Sequence, residues 1–371
     1  MNKPKVIHIS TVHPAFDVRI FHKECRTLAN AGCDVGLVVP HDRDEIVQGI
    51  QIRALPKTRG RFVRMTRGTL RAVRCALAQN GQVYHLHDPE LLPAGFLLKL
   101  RGKRVVYDAH EDFPRQVLRH HWIPRSIRPL VGAGVGLLTR LASQSFDGIV
   151  AATPAIAERL RTKRTVTVQN FPDLCEFLPP ETNSYRERPA SIAYLGAIAE
   201  ARGVREMVQA MALLPESLGA RLVCAGSFSP SELEFQMHQV RGWERVHYVG
   251  WKNRKEIAQL LSQSRMGLVV LHPTPAYVES WPVKMFEYMA AGIPVVASDF
   301  PLWRQIVDGA ACGLLVDPES PRAIAESVQW LLEHPVEAEA MGRRGREAVL
   351  KHYNWEMEAK KLLGLYERLT G

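Results

Sequence analysis

Carboxylates are absent from residues 46–87, although that stretch carries many arginines. Long apolar runs are absent as well. The most apolar stretch, "PLVGAGVGLLT" (129–139), is bounded by Arg128 and Arg140 and is too short to span a bilayer. The start, "MNKPKVIHIS", passes from a short basic tail into a strand-like run, so no signal peptide is expected. The six cysteines (25, 33, 75, 175, 224, 312) form no C-x-x-C pair. That excludes a closely spaced zinc or redox motif and points to reduced thiols in a cytosolic protein, most of them acting as small buried hydrophobes. Low-complexity segments and short-period repeats are missing too. With 46% hydrophobic and 23% charged residues, the composition is that of a globular enzyme.

At 371 residues the chain exceeds what one hydrophobic core usually supports, so two domains are expected. Charge is distributed unevenly. Residues 1–180 carry 27 Lys+Arg against 15 Asp+Glu, a net of +12, and the remainder carries 21 against 23, a net of −2. Strand-like runs "KVIHIS" (5–10), "CDVGLVVP" (33–40), "QVYHLHD" (82–88), "RVVYDAH" (104–110) and "GIVAAT" (148–153) alternate with helical spacing such as "VRIFHKECRTLANAG" (18–32). This alternation predicts an α/β fold with a parallel sheet covered on both faces. The proline-rich, polar stretch "FLPPETNSYRERPA" (177–190) has no apolar period and reads as an interdomain linker. After it the alternation restarts, from "SIAYLG" (191–196) through "IPVVAS" (293–298). Two doubly wound, Rossmann-like domains are therefore expected, 1–178 and 190–352, facing a cleft at the carboxyl ends of their strands. The segment 353–371 has the spacing of a closing helix.

The stretch "YVESWPVKMFEYMAAGIPVVASD" (277–299) places two carboxylates and a lysine in apolar surroundings. It reads as loop, helix and strand, with Pro282 suited to the helix start and Gly292 to its stop. Free amides and the helix dipole make such a start an anion site. Lys284 opposes that dipole, which makes sense if an anion such as a diphosphate lies between them. Glu287 offers only acceptor oxygens, a match for the vicinal hydroxyls of a ribose. Glu279, on the loop before the helix, would reach hydroxyls at the other end of the same ligand. A nucleotide-diphosphate sugar is anionic in the middle and hydroxylated at both ends. The alternative is a loop glutamate and a solvated helix glutamate with no ligand.

The stretch resembles the E-x7-E signature of the GT4 family of retaining glycosyltransferases, which have the GT-B fold. "YLGAIAEARGVREMVQAM" (194–211), "VVYDAHED" (105–112), "HLHDPELLP" (85–93), "TVQNFPD" (167–173) and "CGLLVDPESPRAIAES" (312–327) resemble family segments in the expected order. "YNWEMEAKKLLGLYERL" resembles the closing helix that crosses back onto the N-terminal domain. The resemblance implies an acceptor-binding N-terminal domain and a C-terminal domain that binds the nucleotide sugar. It assigns Glu287 to the ribose, Glu279 to the donor sugar, and Arg202 with Gly203 and Gly196 to the diphosphate, helped by Lys284. His110 would face the transferred sugar. It implies retention of configuration and no metal or other cofactor, fixed cations stabilising the leaving group instead. Two departures stand out. Ala197 follows Gly196 where many members have arginine, and the loop "STVHPAFDVRI" (10–20) has no glycine. In that loop Asp17 and Arg19 either meet acceptor or phosphates or form an internal pair. Asp88 either lines the cleft or bonds within its own turn.

Three further features have readings of their own. "GAGVGL" (132–137) has the wrong spacing and no preceding strand for a dinucleotide motif, so close helix packing is expected. His85 and His87 share a strand face, and with His110 and Asp112 they could form a metal site, although polar strand ends need no metal. "RGRFVRMTRGTLRAVRCALA" (59–78) sets Arg64, Arg67, Arg71 and Arg74 at helical spacing, against Gly68 in its middle. It is either a solvated face or a surface for anionic lipid. The expected protein is a retaining glycosyltransferase moving a sugar from a UDP- or GDP-linked donor to a glycan or polyprenyl-diphosphate-linked acceptor in bacterial surface polysaccharide synthesis. Its expected place is cytoplasmic, peripheral on the inner membrane face through 59–78. A nucleotide-sugar 2-epimerase of the same fold and a basic nucleic-acid-binding protein are the alternatives. No aromatic–basic interleaving supports the latter, and no nucleic-acid partner is expected.

Overall fold

The computed structural model describes residues 3–58, 60–110, 117, 123–160, 162–177 and 184–371. The chain divides into two units, residues 1–170 with 356–371, and residues 171–355.

The first unit is built on strands β1 (Lys5–Ile9), β2 (Asp34–Pro40), β3 (Glu45–Val47), β4 (Ile50–Leu55), β5 (Val83–Leu86), β6 (Arg104–Ala109), β7 (Gly148–Ala151) and β8 (Thr165–Thr167). They form one sheet in the order β3-β4-β2-β1-β5-β6-β7-β8, parallel except for β3. Val35, Leu37, Val38 and Val39 of β2 are all fully buried, as expected of a parallel strand covered on both faces. The second unit has a six-stranded parallel sheet of β9 (Ser191–Leu195), β10 (Arg221–Ala225), β11 (Val246–Gly250), β12 (Met266–Val269), β13 (Val295–Ser298) and β14 (Gly313–Val316), ordered β11-β10-β9-β12-β13-β14. Each sheet starts in its middle, grows one way, then restarts on the other side of its first strand. The switch points lie between β1 and β5 and between β9 and β12. Flanking helices must diverge there, which opens a crevice at the carboxyl ends of those strands.

The expected linker is corrected. Phe171, Phe177 and Tyr185 are already buried in the second core. The Tyr185 hydroxyl donates to the Arg265 carbonyl at 2.6 Å, and Arg188 donates to the Ser264 carbonyl. The division therefore falls after Asn170; residues 178–183 of the expected linker lie outside those described. Four strands, β3, β4, β8 and β14, escaped the sequence reading. Gln48 and Gly49, both at positive φ, turn β3 back onto β4 without the usual Asn-Gly signal. "GAGVGL" lies within the helix Arg128–Ser145. Gly132 is buried there, whereas a Cβ on Gly134 would meet nothing within 4 Å, so close packing holds at one glycine and not as a motif. Residues 61–78 are helical throughout, passing through a wider π turn at Arg64–Gly68.

The closing helix, Trp355–Thr370, belongs almost wholly to the first unit. There Glu358 accepts the Gln169 amide at 2.9 Å, and the Tyr366 hydroxyl lies 2.9 Å from His85 Nδ1.

Gly267 on β12 is required by packing. A Cβ there would sit 2.2 Å from the Tyr288 ring. Tyr288 lies on the helix Val283–Ala290, and its hydroxyl accepts the Leu195 amide at the end of β9. Gly267→Ala is expected to destabilise the second unit by roughly 1–3 kcal/mol through overpacking. Urea unfolding checks this; an unchanged midpoint would show that the ring can move freely aside.

Candidate active site

At the switch point of the second unit, Gly196 follows β9 with φ +99. The position a Cβ would occupy lies 3.7 Å from Lys284 Nζ and 3.8 Å from Arg202 Nη1. Two cations thus bracket a bare stretch of backbone. Arg202 closes the turn Glu200–Arg202, and Gly203 follows at φ +72. A Cβ on Gly203 would strike the Val270 carbonyl oxygen at 2.1 Å, so glycine alone lets that turn lie against the end of β12. Lys284 is the second residue of the helix Val283–Ala290, beside its unpaired first amides. Its ammonium is buried, lies 3.8 Å over the Tyr194 ring, and has no hydrogen-bond acceptor among the described residues. Burial lowers its pKa well below the ordinary value, Arg202 lowers it further, and Glu287 offsets only part. Two like charges held together in a recess, one of them without an acceptor, make a site fitted to an anion.

Glu287, one helical turn on, is 6% exposed. Its Oε1 accepts from Arg254 Nη1 at 2.6 Å. Arg254 also pairs with Glu176 through Nη2 and Nε. The guanidinium therefore holds the Glu287 carboxylate in place. Burial opposes its charge, but Glu287 and Glu176 outweigh that and raise its pKa. Glu279 caps the short helix Pro275–Val278, on the loop between β12 and the Lys284 helix.

At the switch point of the first unit, the ends of β1, β5 and β6 carry Ser10, Thr11, His87, Asp88 and His110. Asp88 is buried and accepts from the Thr11 amide at 2.5 Å and from the Ser10 and Thr11 hydroxyls at 3.1 Å. It is bound by the neighbouring strand's loop and not by its own turn. His110 Nε2 lies 3.0 Å from Asp108 Oδ2 and 3.2 Å from His87 Nδ1, and its ring stacks on His13.

Asp17 and Arg19 do not form the internal side-chain pair. Asp17 accepts the Arg19 and Ile20 amides and lies 3.4 Å from His13. Burial favours its neutral form, but His13 and the Ile20 amide hold its pKa low. Burial likewise opposes charge on His13, yet Asp17, Asp88 and Asp108 together raise its pKa. Arg19 is buried, donates twice to Asp108 at 2.9 Å and once to the Val168 carbonyl, and lies 3.1 Å from Glu24. It is a structural cation beneath the strand ends and presents no charge to a ligand. Asp108 is the ionised partner: burial opposes its charge, but Arg19 and His110 bring its pKa down. Burial and Asp108 push the Glu24 pKa up, while Arg19 opposes them in part.

His8, Glu24, His85 and His87 offer donor atoms within 4.8 Å of one another. Burial keeps the three imidazoles neutral, with His87 lowered to about 4. The structure thus brings His85, His87 and His110 into one chain; Asp112 lies outside the described residues.

Sequence reasoning missed Arg254, Tyr194, His13 and Asp108. The capping box Asn253–Glu256 was readable and places Arg254 at a helix start, but not its target, which is 33 residues away in sequence.

With this geometry in view, comparison with known proteins is informative. A family profile described as "Glycosyl transferases group 1" matches residues 180–348, and one described as "Glycosyltransferase Family 4" matches residues 17–174. An MMP alpha-(1->4)-mannosyltransferase of Mycolicibacterium hassiacum is 24% identical over 316 residues, 81% of this chain and 74% of that protein. Several other curated relatives are matched over less than two thirds of their own length, one over 44%, while a D-inositol 3-phosphate glycosyltransferase of Salinispora tropica is 25% identical over 361 residues, 89% of this chain and 72% of that protein. Among solved structures, a sucrose-phosphate synthase from Thermosynechococcus elongatus superposes with TM-score 0.78 at 21% identity, covering 99% of both chains. Anabaena HepE in complex with UDP and glucose superposes with TM-score 0.74 at 12% identity, over 98% of this chain and 100% of that one. These likenesses establish the GT-B fold.

Lys284→Met should remove a buried charge that lacks a partner. The ligand-free variant is expected to be more stable by about 1–3 kcal/mol. The sign of the pH effect follows from the lowered pKa. Below 10.5 the unfolded lysine binds the proton more fully than the folded one, so stability rises with pH up to that value. Unfolding titrations from neutral pH to 10.5 should show a wild-type slope that the variant lacks. Parallel curves would mean that the ammonium is not held at a cost.

Proposed function

The chain belongs to the GT4 family of glycosyltransferases, and from that premise we propose that it moves a sugar, with retention, from a UDP- or GDP-linked donor to a hydroxyl of a glycan or lipid-linked glycan. The observation that carries this reading is the pair of cations astride Gly196, with Lys284 Nζ lacking an acceptor. A nucleotide diphosphate supplies the missing negative charge. In this reading Arg202 and Lys284 take the two phosphates, and the bare backbone at Gly196 allows close approach. Lys284 stands in for the arginine that Ala197 replaces. Glu287, held by Arg254, accepts from the ribose hydroxyls, and Glu279 accepts from the sugar. His110 is the residue we assign to the transferred sugar from the first unit.

The chemistry is loss of a diphosphate from the anomeric carbon. Negative charge grows on the departing oxygen, and fixed cations already in place stabilise it without reorganisation, so the reading calls for no metal. Retention follows if the acceptor hydroxyl attacks from the face the diphosphate leaves, its proton passing to a phosphate oxygen. Glu287 is tied to Arg254 and points to a binding role, so the paired-carboxylate course of glycosidases does not apply. Surface polysaccharide synthesis on the inner face of the bacterial membrane fits a basic first unit acting on an anionic, lipid-linked acceptor.

A panel of UDP-, GDP-, ADP- and dTDP-sugars, with EDTA present, tests the donor. One donor should release its nucleotide diphosphate. Glu287→Ala should lose its binding, and Lys284→Met should lower kcat about 10²–10³-fold. At a pH near or above the lowered Lys284 pKa, diphosphate binding should also draw a proton onto its amine, because the bound anion raises a pKa that burial had lowered. The calorimetric heat of UDP or GDP binding should then vary with the ionisation heat of the buffer in wild type and not in Lys284→Met. Proton uptake that persists in the variant would remove Lys284 from the diphosphate site.

A further inference from the structure

A cavity of about 380 Å³ lies wholly within the first unit, between the helical run 61–78 and the ends of β2 and β4. Pro40 and Leu55 form one side, and Arg64, Arg67, Arg71 and Arg74 form the other. The arginines are spaced by three and four residues and so share one helical face. Arg64 is neutralised: its Nε and Nη2 donate to the two Glu90 oxygens at 2.9 and 3.1 Å. Arg67, Arg71 and Arg74 have no carboxylate partner among the described residues, as the absence of acid from 46–87 anticipates. Three uncompensated guanidinium groups around one cavity form a receptor for a multiply charged oxyanion, because each planar fork matches phosphate geometry.

The rim has a second character. Phe62 is 83% exposed, and Val63, Met65 and Leu70 are 43%, 46% and 50% exposed. Four exposed apolar side chains beside a cationic pocket match an amphiphile whose head enters and whose tail leaves over the rim. A soluble glycan would leave them in water. Adsorption to a flat bilayer would use the helix face but would not need a cavity.

The pocket also connects to the strand ends already described. Thr11 lines it, and the Thr11 hydroxyl lies within hydrogen-bond reach of both Glu90 and Asp88, with one proton to share between them. The order Arg64–Glu90–Thr11–Asp88 therefore fixes the pocket wall relative to the site of His13 and His110.

We infer that this cavity is the acceptor's anchor, and that it takes the phosphate or diphosphate head of a lipid-linked acceptor on Arg67, Arg71 and Arg74. This rests on the transferase reading for the word acceptor, and on the cavity alone for the phosphate.

The test uses the full-length protein and three probes: farnesyl diphosphate, inorganic pyrophosphate, and phosphatidylcholine vesicles containing phosphatidylglycerol. Titration calorimetry should show farnesyl diphosphate binding more tightly than pyrophosphate. The triple variant Arg67→Gln/Arg71→Gln/Arg74→Gln should weaken it roughly 10- to 100-fold. All three side chains are exposed, so folding should be retained. The donor-induced thermal shift should be unchanged, because none of the three arginines is among the residues assigned to the donor. The lysine triple variant should recover part of the binding. Equal affinity in wild type and triple variant would overturn the proposal, as would loss of vesicle binding alone with no binding of farnesyl diphosphate. A wild type that binds farnesyl diphosphate but no donor would instead sink the transferase reading and leave the pocket in place.

Discussion

An ammonium held in a recess beside a guanidinium, with no carboxylate bonded to it among the described residues, is the constraint around which the second unit is arranged. Left to itself, such a lysine would turn outward or lose its proton. It is kept in by the packing of its helix. Tyr288 fills the space over Gly267 and fixes that helix to the end of β9, while the Tyr194 ring offers its electron-rich face to the ammonium. Gly203 then brings Arg202 to the same spot by letting its turn lie on the Val270 carbonyl. Fold and site are therefore one problem: the glycines that permit the packing also place the cations.

The first unit handles buried charge in the opposite way. Arg19 is enclosed by Asp108, Glu24 and a backbone carbonyl, so its charge is met inside the fold. Uncompensated charge in that unit sits on the outside, on the arginine helix. The contrast separates binding groups from scaffold groups more clearly than residue type does. Arg19 and Arg202 are the same amino acid, and only one is free to meet an anion.

Much of the fold could be read from the sequence because parallel strands covered on both faces are apolar throughout, and the βα alternation survives in "DVGLVV" as in "PVVAS". What could not be read depended on contacts distant in sequence. The Gln48–Gly49 turn has a backbone shape without the usual residue signal. The polar look of 177–190 hid Phe177 and Tyr185, which lie against Arg254 and Arg265 respectively. In the site, Glu287, Lys284 and Arg202 were legible through spacing and resemblance. Arg254 was not, because its partners Glu176 and Glu287 lie 78 and 33 residues away. Arg19 was legible as a residue of interest but not in its role, since only burial distinguishes a structural cation from a receptor.

The second unit is continuous in the chain, whereas the first is completed by residues 356–371 after the second has been made. On the ribosome, the sheet β1–β8 therefore emerges without the helix that supplies Tyr366 to His85 and Glu358 to the Gln169 amide. The second unit can close while its predecessor is still open along that flank, so the order of synthesis and the order of folding need not coincide. A nascent chain of this design depends on late-arriving residues to seal its earliest part, and that interval is when the exposed flank is open to chaperones or to misassociation.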